Sequence, residues 1–306
     1  MNFRFSTRAA GNLVLLLTAF IWGSAFVAQR AGMDHLGPFA FNGLRQFVAC
    51  ACLAPLLWLL RRRDAAAGRP PAAKGTLAVA AISCGLALFV AASTQQIGLL
   101  QASSAHGGFI TSLYILLVPL LSIFLGRRVH PLHLFCVAMG IAGLYFLCAM
   151  DGLASIGGGD WWLLACAFAF SVHILLVGRY ARQVDPVALS LLQFLVVGLL
   201  SLPFIPVEHH WFACEPFTFG ALRAAAVPFL YAAVGSSAIG YTLQIVGQRH
   251  TDATVASLIM CMEAVFAVLV GWAFGESLAP AEWLGCALLF AAILLAQLPV
   301  GRPAAP

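Results

Sequence analysis

Long apolar runs, closed off by charged and turn-forming residues, dominate the pattern of this chain. Ten can be drawn, at 9–30, 39–60, 75–98, 103–126, 132–150, 159–178, 186–206, 224–247, 252–274 and 280–299. Each holds roughly 18–24 residues, the length a helix needs to cross the hydrocarbon core of a bilayer. The pattern predicts an all-α polytopic membrane protein of ten transmembrane helices, and an even number of crossings puts both termini on one face.

The connections sort by charge. One face would carry Arg4, Arg8, Arg61, Arg62, Arg63, Arg69, Lys74, Arg127, Arg128, Arg179, Arg182, Arg249 and Arg302, while the opposite face has Arg30 and Arg223. An excess of Lys and Arg marks the cytoplasmic side, so both termini are expected in the cytoplasm and the chain in the inner (plasma) membrane. Asp34, Asp151, Asp160, Glu208, Glu215, Glu276 and Glu282 gather on the other face, which agrees, although acids weigh little in that rule.

Composition points the same way: 62% of residues are hydrophobic and 9% charged, against roughly 25% charged in soluble domains. The net charge of +5 sits in short juxtamembrane loops, where topology and anionic lipid headgroups account for it, and no nucleic-acid partner is expected. Cys50, Cys52, Cys84, Cys136, Cys148, Cys166, Cys261 and Cys286 lie inside the runs and Cys214 in a loop; they read as small hydrophobes, and without a CxxC pair neither a zinc ribbon nor a redox dithiol is predicted. Reading the first run as a cleaved signal would leave nine helices and put the loop charges out of step.

The longest connections, 61–74 and 206–223, are loops, so no soluble domain is expected. The segment DGLASIGGGD (151–160) divides the chain at its midpoint. Residues 1–150 form a first five-helix half, 151–158 a periplasmic linker and 159–306 a second half. Five helices per half force the halves to insert in opposite directions, as in the inverted-topology repeats of transporters. A shift of 149 positions superposes Gln95 on Gln244, Gly98 on Gly247 and Gly126 on Gly275.

Several stretches resemble one family. FIWGSAFVAQR (Phe20 to Arg30) resembles the first-helix Trp-Gly signature of the ten-helix EamA-domain branch of the drug/metabolite transporter superfamily, and FNGLRQF (Phe41 to Phe47) its second-helix Arg motif. SSAHGGFITSLYILLVPLLSIFLGRR (Ser103 to Arg128) is similar to its fourth helix. LQIVGQRHTDATVASLIMCMEAVFAVLVGWAFGE (Leu243 to Glu276), followed by Gly285, resembles its eighth-to-tenth-helix region. The chain departs from the pattern at Glu263-Ala264, where Glu-Pro is frequent, at His106, where Asn is common, and at Gly126-Arg127, the counterpart of Gly275-Glu276. The resemblance implies a secondary carrier of small metabolites or drugs, commonly an exporter, with a cavity between the halves.

The residues support the same chemistry. No GxxxxGK[ST] cradle for ATP occurs and the lone lysine, Lys74, is in a loop, so no cofactor is expected and transport runs downhill or on an ion gradient. An ionisable side chain at membrane depth costs about 2.5–3.5 kcal/mol on insertion scales and faces the bundle interior. Glu263, near the middle of its run, is read either as a proton-coupling or substrate-amine group or as an interhelical lock. Arg45 is read either as a clamp for a substrate carboxylate or as a structural or gating residue that snorkels. Ser237, Tyr241, Gln244 and Gln248 draw a polar stripe at helical spacing, and Asn42 with Arg45 and Gln46 a second; interhelical hydrogen bonding is the alternative to lining a cavity.

Trp22 and Tyr114 complete the predicted cavity as apolar or cation-binding surface. His106 is a packing residue or a relay group, while His130 with His133, and His209 with His210 near Cys214, are too sparse for a metal site. The expected activity is export of small metabolites such as amino acids by alternating access, with protons as the candidate coupling ion and monomer or homodimer left open. A multidrug efflux carrier is the alternative within transport. An intramembrane enzyme is the alternative outside it, and no HExxH or GxSxG favours one.

Overall fold

The computed structural model describes residues 7–66, 74–102, 104–148, 157–212, 214–273, 279–296 and 298. Among these, every regular element is helical. The order is α1 (Thr7–Met33), α2 (Pro38–Ala66), α3 (Lys74–Leu99), α4 (Ser104–Ser112), α5 (Tyr114–Phe124), α6 (Pro131–Cys148), α7 (Gly158–Tyr180) and α8 (Pro186–Ser201). After a 3₁₀ turn (Glu208–His210) come α9 (Phe219–Ala224), α10 (Ala226–Leu230), a π-helical segment (Tyr231–Tyr241), α11 (Thr242–Gln248), α12 (Ala253–Met260), α13 (Met262–Ala273) and α14 (Pro280–Ala296). Most of the predicted linker, together with Gly275 and Glu276, lies outside the described residues, as does the His106 side chain.

Seven helical stretches are long and apolar enough to cross a membrane: Thr7–Met33, Pro38–Ala66, Gly75–Leu99, Gly107–Phe124, Gly158–Tyr180, Ala226–Gln248 and Ala253–Val270. Pro131–Phe146, Pro186–Ser201 and Pro280–Ala296 are shorter apolar helices. Each of the ten falls on one of the predicted runs, but length alone carries seven of them across. The three shorter ones open on proline, which lacks an N–H that the first turn leaves unpaired anyway, and the Asp185 side chain caps α8 by accepting from Ala188 N at 2.8 Å.

Apolar side chains cover the outside of the bundle, and polar ones are buried among its apolar core. Val79, Ile82, Leu86 and Val90 present one exposed stripe along α3, while Asn42, Gln46, Gln96, Gln193, Gln244 and Glu263 are buried. An apolar perimeter with polar groups held inside suits lipid as the surrounding medium. Two helix crossings are close enough to need glycine. Gly98 of α3 packs on Gly159 of α7, where an added Cβ would lie 2.9 Å from the Gly159 carbonyl oxygen, and Gly247 of α11 packs on Gly11 of α1, where it would lie 3.0 Å from the Gly11 carbonyl oxygen. Only glycine admits backbones this close.

Two of the stretches are interrupted where the sequence pattern predicts continuous helices. One residue, Leu113, separates α4 from α5, and one residue, Cys261, separates α12 from α13. The residues just past these breaks face each other across the bundle.

Candidate functional site

Tyr114 is the first residue of α5, and Glu263 the second of α13. The Tyr114 hydroxyl donates to Glu263 Oε1 at 2.9 Å, and Ser112 Oγ, from the last residue of α4, donates to the same oxygen at 3.3 Å. All three side chains are buried. The interrupted helices therefore bring two donors onto one carboxyl group deep in the bundle, where water does not supply them.

The base is held by neutral groups. Arg45, 1% exposed, donates through Nη1 to Gln29 Oε1 at 3.1 Å and through Nη2 to Asn42 Oδ1 at 3.2 Å, and its guanidinium lies 5.6 Å from the Phe41 ring centroid. Asn42 is itself fixed by donating from Nδ2 to Ser93 Oγ at 3.3 Å. Arg45 Nε has no hydrogen-bond partner among the described residues. Amide oxygens orient the fork without neutralising it, so its charge is available to an anionic group.

Glu263 and Arg45 line one cavity, together with Trp22, Phe26, Gln29, Gln95, Thr111, Tyr114, Phe170, Ile174, Ser236, Tyr241 and Gln244. Its volume is about 20 Å³, room for about one water molecule. Nothing as large as a metabolite fits until the helices part. A wider cavity of about 620 Å³ lies at the end of the bundle where α1 turns into α2, lined by Arg30, Asp34, His35, His209, Cys214 and Glu215 among others.

The π-helical segment shapes one wall of the smaller cavity. The Trp22 indole N–H donates to the Ser236 carbonyl at 3.2 Å, and the Trp22 and Tyr241 rings lie 4.7 Å apart. π-Helical turns are rare and concentrate at functional sites.

Of the residues proposed from sequence, Glu263, Arg45, Trp22, Tyr114, Tyr241 and Gln244 meet around this cavity. Asn42 stands behind Arg45 as its hydrogen-bond partner. Ser237 is buried away from the lining, without a hydrogen-bond partner among the described residues, and Ser236 takes its place. The wider π winding moves the register off the 3.6-residue spacing on which the stripe was drawn. Gln248 accepts from Gln244 Nε2 at 3.0 Å and donates to the Ile174 carbonyl at 3.0 Å. His106 is carried on α4.

The sequence reading missed Gln29, Thr111 and Ser112 as cavity or carboxylate partners. It met Gln95 only as the counterpart of Gln244, and that match was the signal that would have placed it here.

The model of the EamA-like transporter family matches residues 9–149 and again 157–298. An uncharacterized transporter of Archaeoglobus fulgidus is 29% identical over 96% of this chain and 87% of its own length. A probable terminal-alkyne amino-acid exporter of Streptantibioticus cattleyicolor is 27% identical over 92% of this chain and 91% of its own. One crystal structure superposes with a TM-score of 0.73 at 20% identity, covering 95% of this chain and 97% of that one, a likeness of fold.

Proposed function

Because the chain belongs to the EamA-like transporter family of the drug/metabolite transporter superfamily, we propose that it exports small zwitterionic metabolites such as amino acids across the inner membrane. It is a multi-pass membrane transporter in which two five-helix halves of opposite orientation, 1–150 and 159–306, rock about the Glu263–Arg45 cavity, with both termini in the cytoplasm. The observation that carries the substrate class is that one buried carboxyl group and one buried guanidinium, each held by neutral partners, line the same cavity. A zwitterion offers an ammonium to the first and a carboxylate to the second.

Internal correspondences support the two-half reading. The 149-residue shift that pairs Gln95 with Gln244, both lining the cavity, also carries Tyr114 onto Glu263, the hydrogen-bonded pair beside the two helix breaks. The Asn42–Ser93 bond between α2 and α3 has a counterpart in Thr242 Oγ1 donating to Ser190 Oγ at 2.9 Å, between α11 and α8. The Gly98–Gly159 crossing answers the Gly247–Gly11 crossing. Each half lends its third helix to the first helix of the other, which is how opposite insertion would weave them.

Purified protein in liposomes, with amino acids followed on both sides of the membrane by mass spectrometry, tests the proposal. Saturable movement of an unmodified amino acid is the expected result. Movement of lipophilic cations with no amino-acid flux would replace it with multidrug efflux, a reading the Trp22, Phe26 and Phe170 walls would serve. Chemical change without crossing would make the chain an enzyme.

A further inference from the structure

Glu208 is fully buried, yet it lies outside the cavity and the proposed transport cycle makes no use of it. It sits in the 3₁₀ turn of the loop that follows α8. Its Oε2 accepts from Phe39 N at 2.6 Å, and both its oxygens stand 3.3 Å from Ala40 N. A side chain from the second half thus caps the first turn of α2, in the first half, where the amides have no intrahelical partner and the helix dipole favours an anion. Gly37 makes the seat possible: a Cβ there would lie 2.2 Å from the Glu208 carboxyl carbon. Phe39 stacks on Phe204 at 4.6 Å beside the contact.

The position of this cap gives it consequence. Within the next two turns, α2 carries Arg45 into the site and Asn42 behind it. On α1, Gln29 lines the small cavity and the next residue, Arg30, lines the wide one, so the wall between them is thin. The Arg30 guanidinium donates to the Leu99 carbonyl, tying α1 to the end of α3. The loop that holds Glu208 supplies His209, Phe212, Cys214 and Glu215 to the wide cavity, which opens to the outer side in the orientation proposed above.

We propose that Glu208 is a positioning residue for transport and the latch of the outer gate: seated on α2 it keeps that helix, and Arg45 with it, in the closed arrangement, and it leaves the seat when the outer side opens. This rests on the alternating-access reading. Burial pushes the Glu208 carboxyl up from 4.5 to about 7, while the Phe39 and Ala40 amides pull it down. A carboxyl that is harder to ionise seated than in water favours the seat when protonated. The closed latch is therefore fully stabilised below about pH 4.5, loses stability as pH rises to about 7, and changes little beyond. The titratable and charged groups near it are Arg30, Asp34 and His35 at the α1–α2 turn and His209, His210, Cys214 and Glu215 in its own loop; the first turn of α2 brings none.

The test uses the full-length chain in cells, its native cysteines replaced and Phe26→Cys as a reporter in the small cavity. A membrane-impermeant maleimide is added from outside, with rates normalised to denatured protein at each pH. With Glu208 intact, labelling should rise by up to about twentyfold between pH 5.5 and 7.5. E208Q should label slowly and without that pH dependence, whereas E208A and G37A, which remove or displace the cap, should label at least tenfold faster than the unmutated latch at pH 5.5. E208Q is nearly isosteric and G37A perturbs the contact from the other side, so the test survives an E208A protein that fails to accumulate. Wild-type pH dependence persisting in E208Q, or E208A and G37A labelling at the unmutated acid-pH rate, would overturn the latch. Labelling needs no substrate, so that failure leaves the transport assay intact, and a chain that labels as expected but moves no amino acid defeats the transport reading alone.

Discussion

A carboxyl group and a guanidinium buried in one apolar bundle must find in their neighbours what water would have given them. Glu263 takes hydrogen bonds from Tyr114 and Ser112, and Arg45 gives its own to Gln29 and Asn42. Neither partner set cancels the charge, which separates this arrangement from a structural ion pair, whose members satisfy each other. Under the proposed mechanism, Glu263→Gln placed on an E208Q background, where the latch no longer titrates, should keep exchange in liposomes but remove its remaining dependence on pH; pH dependence that survives the double substitution would deny Glu263 the coupling role. Arg45→Ala should raise the half-saturation concentration for carboxylated substrates by about tenfold or more, because a hydrogen bond to a charged group is worth about 1.5–3 kcal/mol. Neutral analogues should shift far less. An equal shift for both would return Arg45 to the role of holding α2 against α1.

At the scale of helices, the close crossings matter as much as the polar groups. A valine at position 98 or at position 247 would drive its Cβ against a backbone carbonyl as well as a leucine side chain, and such overpacking typically costs about 1–3 kcal/mol. Gly98→Val and Gly247→Val should each lower the thermal midpoint of the detergent-solubilised protein, and by similar amounts, since the two crossings correspond. A large effect at one with none at the other would argue that the halves are not equivalent. The placement of the helices was legible in the sequence because a bilayer imposes length, and Pro131, Pro186 and Pro280 mark starts plainly. The breaks at Leu113 and Cys261 were not, because a run that is apolar on every face has no periodicity for a break to disturb. The π winding of 231–241 was hidden because the polar stripe there fits an ordinary 3.6-residue helix well enough to mask it, and that winding is what set Ser237 aside in favour of Ser236. Gln29 went unnoticed as a lone amide on a helix already explained by Trp22, and Thr111 and Ser112 because small hydroxyls are tolerated almost anywhere in a membrane helix.

For the molecule as a whole, the family match and the buried polar interior establish a multi-pass membrane transporter, whereas the proposed weave of the halves makes a sharper demand. If 1–150 and 159–306 insert oppositely, the basic connector at 61–74 and the glycine-rich linker at 152–159 lie on opposite sides of the membrane, the first inside and the second outside. Single cysteines placed in each, probed in intact cells with an impermeant thiol reagent, should label only in the linker, and only the connector should be protected until the membrane is broken. Of the three shorter helices, Pro131–Phe146 decides this outcome, because it alone lies between the two segments. Were it to dip into the bilayer without crossing, the first half would cross an even number of times and the linker would fall on the side of the connector. Equal labelling of both segments would then leave a polar cavity, a carboxyl group and a guanidinium, but no pair of opposed halves to rock around them.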